Sequence, residues 1–147
     1  MTIESANRIR ESFKLLTPRM EHLTREVYDR MFRARPDIRS MFASDLKTQQ
    51  QHLSAALALI VRNLTMLDAL EGSFKQLGAD HARAGVHPEH YPLVRDAMLE
   101  SMSAALSTNG AWTDELARDW RDLINQVCTY MLQGGLTATA NGLDVRW

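Results

Sequence analysis

The chain has 147 residues, and 45% of them are hydrophobic, which suits one domain with its own core and excludes a mostly disordered protein. Lysine and arginine number 17 against 18 aspartate and glutamate, so a net charge of -1 provides no basic field for nucleic acid or an anionic membrane. Cys128 is the only cysteine, which excludes an internal disulfide and any multi-cysteine metal site.

The amino terminus and the apolar runs predict a cytoplasmic protein. The first ten residues, MTIESANRIR, carry charges where a secretory signal would need an apolar stretch. The longest apolar run, residues 55–61, is far shorter than the roughly 18 residues that cross a membrane. We therefore expect neither a membrane nor a nucleic acid as a partner.

Glycine and proline are scarce, and the intervals between them carry apolar residues at helical spacing, so the sequence predicts an all-α protein of six or seven helices. The first helix should end before Pro18, and Thr17 should cap a second helix that runs to about Arg33. Pro36 should open a short helix that ends near Phe42. The buried face of the first helix is expected to contain Ala6, Ile9, Phe13 and Leu16.

The middle of the chain predicts two further helices. The first carries two rows of residues at helical spacing, which are Leu46, Leu53 and Ile60 in one and Gln50, Leu57 and Leu64 in the other. In the second, His81 closes an apolar stripe on a helix that ends at Gly85. The stripe contains Leu67, Leu70, Phe74 and Leu77.

Two helices are predicted in the last third of the chain. One follows Pro92, and the other is capped by Thr113 and stopped by the doublet Gly134 and Gly135. Their buried residues are expected to be Val94, Met98 and Met102 in the former, and Leu116, Trp120, Leu123, Val127 and Met131 in the latter. Residues 1–135 should thus form one domain, and residues 136–147 a loosely ordered tail.

The sequence lacks the motifs that usually identify the common enzyme classes. No nucleophile elbow, phosphate loop, dinucleotide fingerprint or HExxH pair occurs. Polar residues on apolar faces remain, and His81 is the main one. Its ring could be a core histidine with backbone or side-chain partners, or it could bind a metal.

The neighbours of His81 carry a family resemblance. Phe42, Leu77, His81, the pair Gly85-Val86 and the step His90-Tyr91-Pro92 occur in the order and spacing of a globin. Over residues 5–133 the chain resembles a bacterial single-domain globin and the globin domain of flavohaemoglobins. The resemblance implies an all-α globin fold, with six to eight helices around a haem pocket.

The resemblance also assigns the proximal side of that pocket. It implies haem b, iron protoporphyrin IX, with His81 as the axial metal ligand through one ring nitrogen. The other ring nitrogen should donate its proton to a nearby carbonyl, plausibly that of Leu77 one turn back. Leu77 and Val86 would pack on the proximal haem face, and Phe42 would stack against the porphyrin, although plain core packing is the alternative for all three.

On the distal side, the resemblance brings Tyr28 and Gln49 to the ligand, in a pocket otherwise lined by residues such as Leu53. A tyrosine hydroxyl and a glutamine amide both donate hydrogen bonds, and dioxygen held by haem carries partial negative charge. Tyr28 could instead place only its ring in the core, and Gln49 could belong to a solvated face. His52 could pair with a haem propionate at the surface or act as a sixth ligand of the iron.

Tyr91 matches a tyrosine that flavohaemoglobins use in a proximal hydrogen-bond network, completed there by a glutamate of the last helix. Gly135 stands at the glutamate's position in this sequence, so the carboxylate that would make the imidazole a stronger electron donor is missing. Tyr91 could also be a helix-start residue that packs against the proximal helix. The departure argues against vigorous dioxygen activation.

The resemblance implies a haem-binding globin that reversibly binds dioxygen and other diatomic gases, as a binding or transport protein. One alternative is a nitric oxide dioxygenase, which we expect to need an external reductase as electron donor. Another is a gas or redox sensor in which His52 makes the haem six-coordinate. A globin fold without haem is the last alternative.

Overall fold

The computed structural model describes residues 1–42 and 45–140. In that part of the chain, six α-helices are joined by turns and short 3-10 segments, and no strand occurs. The helices are α1 (Ile3–Leu16), α2 (Met20–Ala34), α3 (Leu46–Arg62), α4 (Glu71–Arg83), α5 (His90–Leu106) and α6 (Asp114–Ala140). The 3-10 segments are Thr17–Arg19, Pro36–Met41, Leu64–Leu70 and Ser107–Asn109. The predicted all-α class is confirmed.

Across residues 1–42 and 45–140, no single helix is both long and apolar enough to cross a membrane. The segments 46–62 and 64–83 pass this test only when joined, and they are bent by 114° relative to each other.

Side-chain caps begin three of the helices. The hydroxyl of Thr2 accepts the backbone N–H three residues ahead at 3.0 Å, and the carboxylate of Asp45 does the same at 3.2 Å. The hydroxyl of Thr113 accepts the backbone N–H of Leu116 at 3.1 Å, which confirms the predicted cap of the last helix. Each cap satisfies one of the four N–H groups that a helix start leaves without an intrahelical partner.

Thr17 does not cap α2, and that prediction is wrong. Its hydroxyl donates to the carbonyl of Phe13, 2.7 Å away and one turn back in α1. Thr17 and Pro18 lie in a 3-10 turn between the two helices, so α2 begins at Met20. A threonine hydroxyl readily satisfies a free carbonyl near a helix end, and Thr17 therefore completes α1.

The core is centred on Trp120 of α6, which is fully buried. Its indole N–H donates to the hydroxyl of Ser12 at 2.9 Å, and that hydroxyl donates to the carbonyl of Ile9 at 2.8 Å. Both buried polar side chains are thereby satisfied. The other fully buried side chains include Ile9, Leu16, Thr24, Val27, Met102 and Leu106.

Most of the predicted core residues are buried. Those with less than a tenth of their surface exposed are Ala6, Ile9, Leu16, Leu57, Ile60, Leu64, Phe74, Met98, Met102, Leu116, Trp120, Leu123, Val127 and Met131. Those that pack against this core while partly exposed are Phe13, Leu53, Leu67, Leu70 and Val94. Periodicity therefore located the inner face of nearly every helix.

Helices α4 and α6 cross in direct backbone contact. A Cβ atom added to Gly78 of α4 would overlap the backbone of Met131, and one added to Gly134 of α6 would overlap the backbone of Lys75. Only glycine permits such an approach, because its hydrogen leaves room for the opposing backbone. One glycine from each helix therefore sets the distance between α4 and α6.

The glycine doublet does not stop the last helix, so that prediction is wrong. Helix α6 runs through Gly134 and Gly135 to Ala140. A glycine inside a helix costs about 1 kcal/mol relative to alanine, and here the contact with α4 requires Gly134. The predicted tail therefore begins within α6, since residues 136–140 are helical, whereas residues 141–147 lie outside the described residues.

Candidate functional site

His81 lies near the end of α4, and its imidazole is held by its own helix. The Nδ1 atom is 2.8 Å from the carbonyl of Leu77, the partner predicted from the sequence. A carbonyl accepts only, so Nδ1 carries the proton in the neutral ring and Nε2 keeps a lone pair. That second nitrogen is free to bind a metal, because the hydrogen bond fixes both the tautomer and the ring orientation.

The pKa of His81 favours the same form of the ring. Burial lowers the pKa of His81, and the hydrogen bond to Leu77 and the charge of Asp80 offset this only in part. A depressed pKa keeps the imidazole neutral at physiological pH, which is the form that binds metals.

The apolar stripe predicted to pass through His81 is divided in the structure. Leu67 and Leu70 belong to the 3-10 segment Leu64–Leu70, and α4 begins only at Glu71. The buried residues of α4 are Phe74, Gly78, Ala79 and Ala82. These residues pack α4 into the protein, so the stripe through Leu77 and His81 lies on a neighbouring face.

Leu77 is 37% exposed, so the protein's own core does not cover this end of the predicted apolar stripe. Leu77 and His81 are four residues apart and share one side of α4. An exposed leucine beside an imidazole with a free Nε2 suits a largely apolar cofactor that brings a metal to the ring. Within the described ranges, no group of three or more histidine, cysteine, aspartate or glutamate side chains could hold a bare metal ion.

The turn after α4 keeps Val86 close to His81. Gly85 has a φ of +95°, a left-handed conformation that favours glycine, and the N–H of Val86 donates to the carbonyl of His81 at 3.0 Å. The helix ends at Arg83, two residues before the predicted end, and Gly85 forms the turn that follows it. Val86 is partly buried against the core.

Tyr28 of α2 and Gln49 of α3, which are 21 residues apart in the sequence, are brought together. The hydroxyl of Tyr28 donates to the backbone carbonyl of Gln49 at 3.3 Å. Tyr28 is buried, and burial raises the pKa of its hydroxyl to about 12. The hydroxyl therefore stays protonated at physiological pH and remains a hydrogen-bond donor.

Phe42 and Phe32 surround the ring of Tyr28. The Phe42 ring meets Tyr28 edge-on at 5.4 Å between centroids, and Phe32 lies 5.5 Å from Phe42 and 6.1 Å from Tyr28. Sequence analysis named Tyr28 and Phe42 but missed Phe32. The signal was present, because Phe32 lies four residues after Tyr28 and so shares its face of α2.

Leu53 and His52 differ in exposure although they are adjacent in α3. Leu53 lies one turn after Gln49 and packs against the core, whereas His52 is exposed. The exposed position of His52 agrees better with the surface alternative than with a ligand in the pocket.

Tyr91, in the first turn of α5, is buried, and burial raises the pKa of its hydroxyl to about 12. The nearby Cys128 thiol of α6 adds to this rise in the pKa of Tyr91. Gly135, to which the resemblance gives the position of the missing carboxylate, is buried in α6.

The sequence model of the globin family matches residues 25–131, a range that contains α3, α4, α5 and every site residue considered above except Gly135. The chain belongs to the globin family. This confirms the family resemblance, and the comparisons with individual globins agree with it.

Three related proteins illustrate the match. An uncharacterized globin-like protein of Aquifex aeolicus is 24% identical over 119 residues, which are 81% of this chain and 83% of that protein. The flavohemoprotein of Bordetella pertussis is 30% identical over 132 residues, which are 86% of this chain and 32% of the relative. The flavohemoprotein of Rhizobium meliloti is 33% identical over 96 residues, which are 63% of this chain and 23% of the relative. This chain thus spans a third or less of the length of these flavohemoproteins.

Two solved structures show the fold of the globin. An engineered carbene transferase of Rhodothermus marinus, assigned as a nitric oxide dioxygenase, has a TM-score of 0.84 at 23% identity and covers 96% of this chain and 97% of its own. A bacterial globin from Campylobacter jejuni has a TM-score of 0.80 at 20% identity, with coverages of 95% and 99%. The predicted globin fold is confirmed.

Proposed function

We propose that this globin binds haem b with His81 as the axial ligand. The observation that carries the proposal is the hydrogen bond from His81 Nδ1 to the Leu77 carbonyl. This bond orients a neutral ring and leaves Nε2 free, and the exposed side chain of Leu77 lies one turn away on the same side of α4. Membership of the globin family supports it independently. The haem would supply the iron at which dioxygen or another diatomic gas binds.

The chain's own contribution on the distal side would be two hydrogen-bond donors. Tyr28 is buried and its raised pKa keeps the hydroxyl protonated. Gln49 lies one turn before Leu53 in α3, so the two residues share one side of that helix. The Tyr28 hydroxyl and the Gln49 amide would donate to a partly negative diatomic ligand and favour dioxygen over carbon monoxide. Because Tyr28 bonds to the Gln49 carbonyl in the present structure, its hydroxyl would exchange one acceptor for another.

The direct test is a haem titration followed by absorption spectroscopy. The wild type should give a Soret band that saturates at one haem per chain, whereas His81→Ala should lose tight binding while far-UV circular dichroism shows that its helices persist. His22→Ala is the matched control, since His22 is an exposed histidine of α2. Equal haem affinity of His81→Ala and the control would contradict the assignment of His81.

Nitric oxide dioxygenation is the second candidate function, and the flavohemoprotein relatives favour it. Each turnover would join nitric oxide and dioxygen into nitrate and would consume one electron, which an external reductase would have to deliver. Repeated turnover of nitric oxide by the haem-loaded protein should then require both dioxygen and an added ferredoxin reductase with its pyridine nucleotide. A single stoichiometric conversion without further turnover would favour the binding function instead.

A further inference from the structure

We infer that Arg39 is a positioning residue for Tyr28 and acts on it through the rings of Phe32 and Phe42. The inference rests on the proposed distal role of Tyr28 and deepens it. Arg39 lies in the 3-10 segment Pro36–Met41, and it is exposed at the surface of the globin.

Arg39 makes two contacts that join the 3-10 segment to α2. Its guanidinium carbon lies 5.4 Å from the centroid of the Phe32 ring, within the range of a cation–π interaction. Its Nη1 atom donates to the backbone carbonyl of Phe42 at 2.9 Å. One side chain therefore holds both the ring of Phe32 and the backbone that carries Phe42.

The rings of Phe32 and Phe42 determine where the Tyr28 ring can lie. The three rings contact one another in a triangle, with every centroid distance between 5.4 and 6.1 Å. The hydrogen bond of Tyr28 to the Gln49 carbonyl is 3.3 Å, longer than the 2.5–3.0 Å typical of O–H···O bonds. Ring packing therefore positions the Tyr28 hydroxyl together with this long hydrogen bond.

The other arginines of this region are engaged differently. Arg35 pairs with Asp37 at 2.8 Å and lies 3.9 Å from Glu89. Arg33 donates to the Asp29 carbonyl of its own helix at 3.4 Å. For Arg39, no carboxylate partner is found among residues 1–42 and 45–140, so its contacts are the aromatic ring and the carbonyl.

The test compares Arg39→Ala with Arg33→Ala, which removes a neighbouring exposed arginine that does not reach across to the 3-10 segment. In the haem-loaded protein, Arg39→Ala should release dioxygen about two- to fivefold faster. This factor is the expected decrease in the population of correctly placed Tyr28 when a surface cation–π contact is lost. The C–O stretch of its carbon monoxide complex should move to higher wavenumber, because the ligand receives less hydrogen bonding from Tyr28. Arg39→Lys should restore part of both effects, and Arg33→Ala should change neither.

A haem-independent measurement separates this inference from the proposed function. The chain has three tyrosines, so carbon-13 labelling of the hydroxyl-bearing carbon gives three resonances, and Tyr28→Phe identifies the one from Tyr28. Arg39→Ala should shift that resonance, whereas Arg33→Ala should not. Unchanged tyrosine resonances, or equal effects of the two arginine substitutions on dioxygen release, would overturn the inference. Absence of a Soret band in the wild type would instead refute the proposed function. The tyrosine resonances would then still decide whether Arg39 positions Tyr28.

Discussion

The proximal and distal sides of the candidate site fix their key side chains by different means. On the proximal side, His81 bonds to a carbonyl of its own helix, and that helix is set against α6 by backbone contacts at Gly78 and Gly134. On the distal side, Tyr28 is held by rings from α2 and from the corner before α3, and it bonds to a carbonyl of a different helix.

The position of the proximal helix is determined by backbone contacts, whereas the position of Tyr28 is determined by side-chain contacts. A helix that touches its neighbour through glycine has no flexible side chain in between, so its position tolerates little adjustment. Aromatic rings in mutual contact can shift together, and each pair stabilises its arrangement by about 0.5–1.5 kcal/mol. We therefore expect substitutions on the proximal side to change stability and substitutions on the distal side to change ligand kinetics.

The largest expected effect is that of Gly134→Ala on stability. The added methyl group would overlap the backbone of Lys75, so α4 and α6 must separate, and overpacking of this kind costs about 3 kcal/mol. Gly72→Ala is the matched control, because a Cβ there meets nothing within 4 Å, and it should stabilise α4 by about 0.5–1 kcal/mol. Urea unfolding measures both. Similar small changes for the two variants would show that the helix crossing is not rigid.

The reactivity of Cys128 tests how well the core shields its partly buried thiol from water. Burial raises the pKa of the Cys128 thiol from 9.0 to about 11, and the thiolate is the reactive form. At pH 8 the thiolate fraction should therefore be about a hundredfold lower than that of an unperturbed thiol. Alkylation by iodoacetamide should be slower by at least this factor than in the same protein unfolded in urea, and equal rates would place Cys128 in contact with solvent.

Tyr28→Phe should change ligand kinetics with little effect on stability. A hydrogen bond to a charged group contributes about 1.5–3 kcal/mol, so dioxygen dissociation should accelerate about tenfold or more. Stopped-flow displacement of dioxygen by carbon monoxide measures this rate. Tyr130→Phe serves as the control, since Tyr130 bonds to Asp68 between α6 and the 3-10 segment before α4. If the two tyrosine variants behave alike, the distal role of Tyr28 must be abandoned.

The sequence predicted the proximal side better than the distal side because the proximal contacts are local. The bond from His81 to Leu77 spans one helical turn, so once the resemblance had assigned His81, its partner followed without any tertiary contact. Spacing places Phe32 on the same face of α2 as Tyr28, but the contact of Phe32 with Phe42 depends on how α2 meets the corner before α3, and periodicity does not show that contact. Gly134 was misread for a related reason, because a glycine that ends a helix and a glycine that admits a neighbouring backbone look the same in a sequence.

The exposure of Leu77 shows a further limit of pattern analysis. Leu67, Leu70, Phe74, Leu77 and His81 have helical spacing, yet the chain turns into a new helix at Glu71. Met66 has a φ of -132° within the preceding 3-10 segment, so that segment is not a regular continuation of a helix. The register of a stripe changes at such a break, and only the three-dimensional arrangement shows which side of α4 remains uncovered.

Among all possible tests, the absorption spectrum of the reduced, haem-loaded globin without added gas bears most directly on the site described here. The proposed function makes His81 the one protein ligand of the iron and leaves His52 at the surface, so it predicts a five-coordinate, high-spin ferrous form. A low-spin, six-coordinate ferrous spectrum, or a protein that acquires no Soret band at all, would contradict this account.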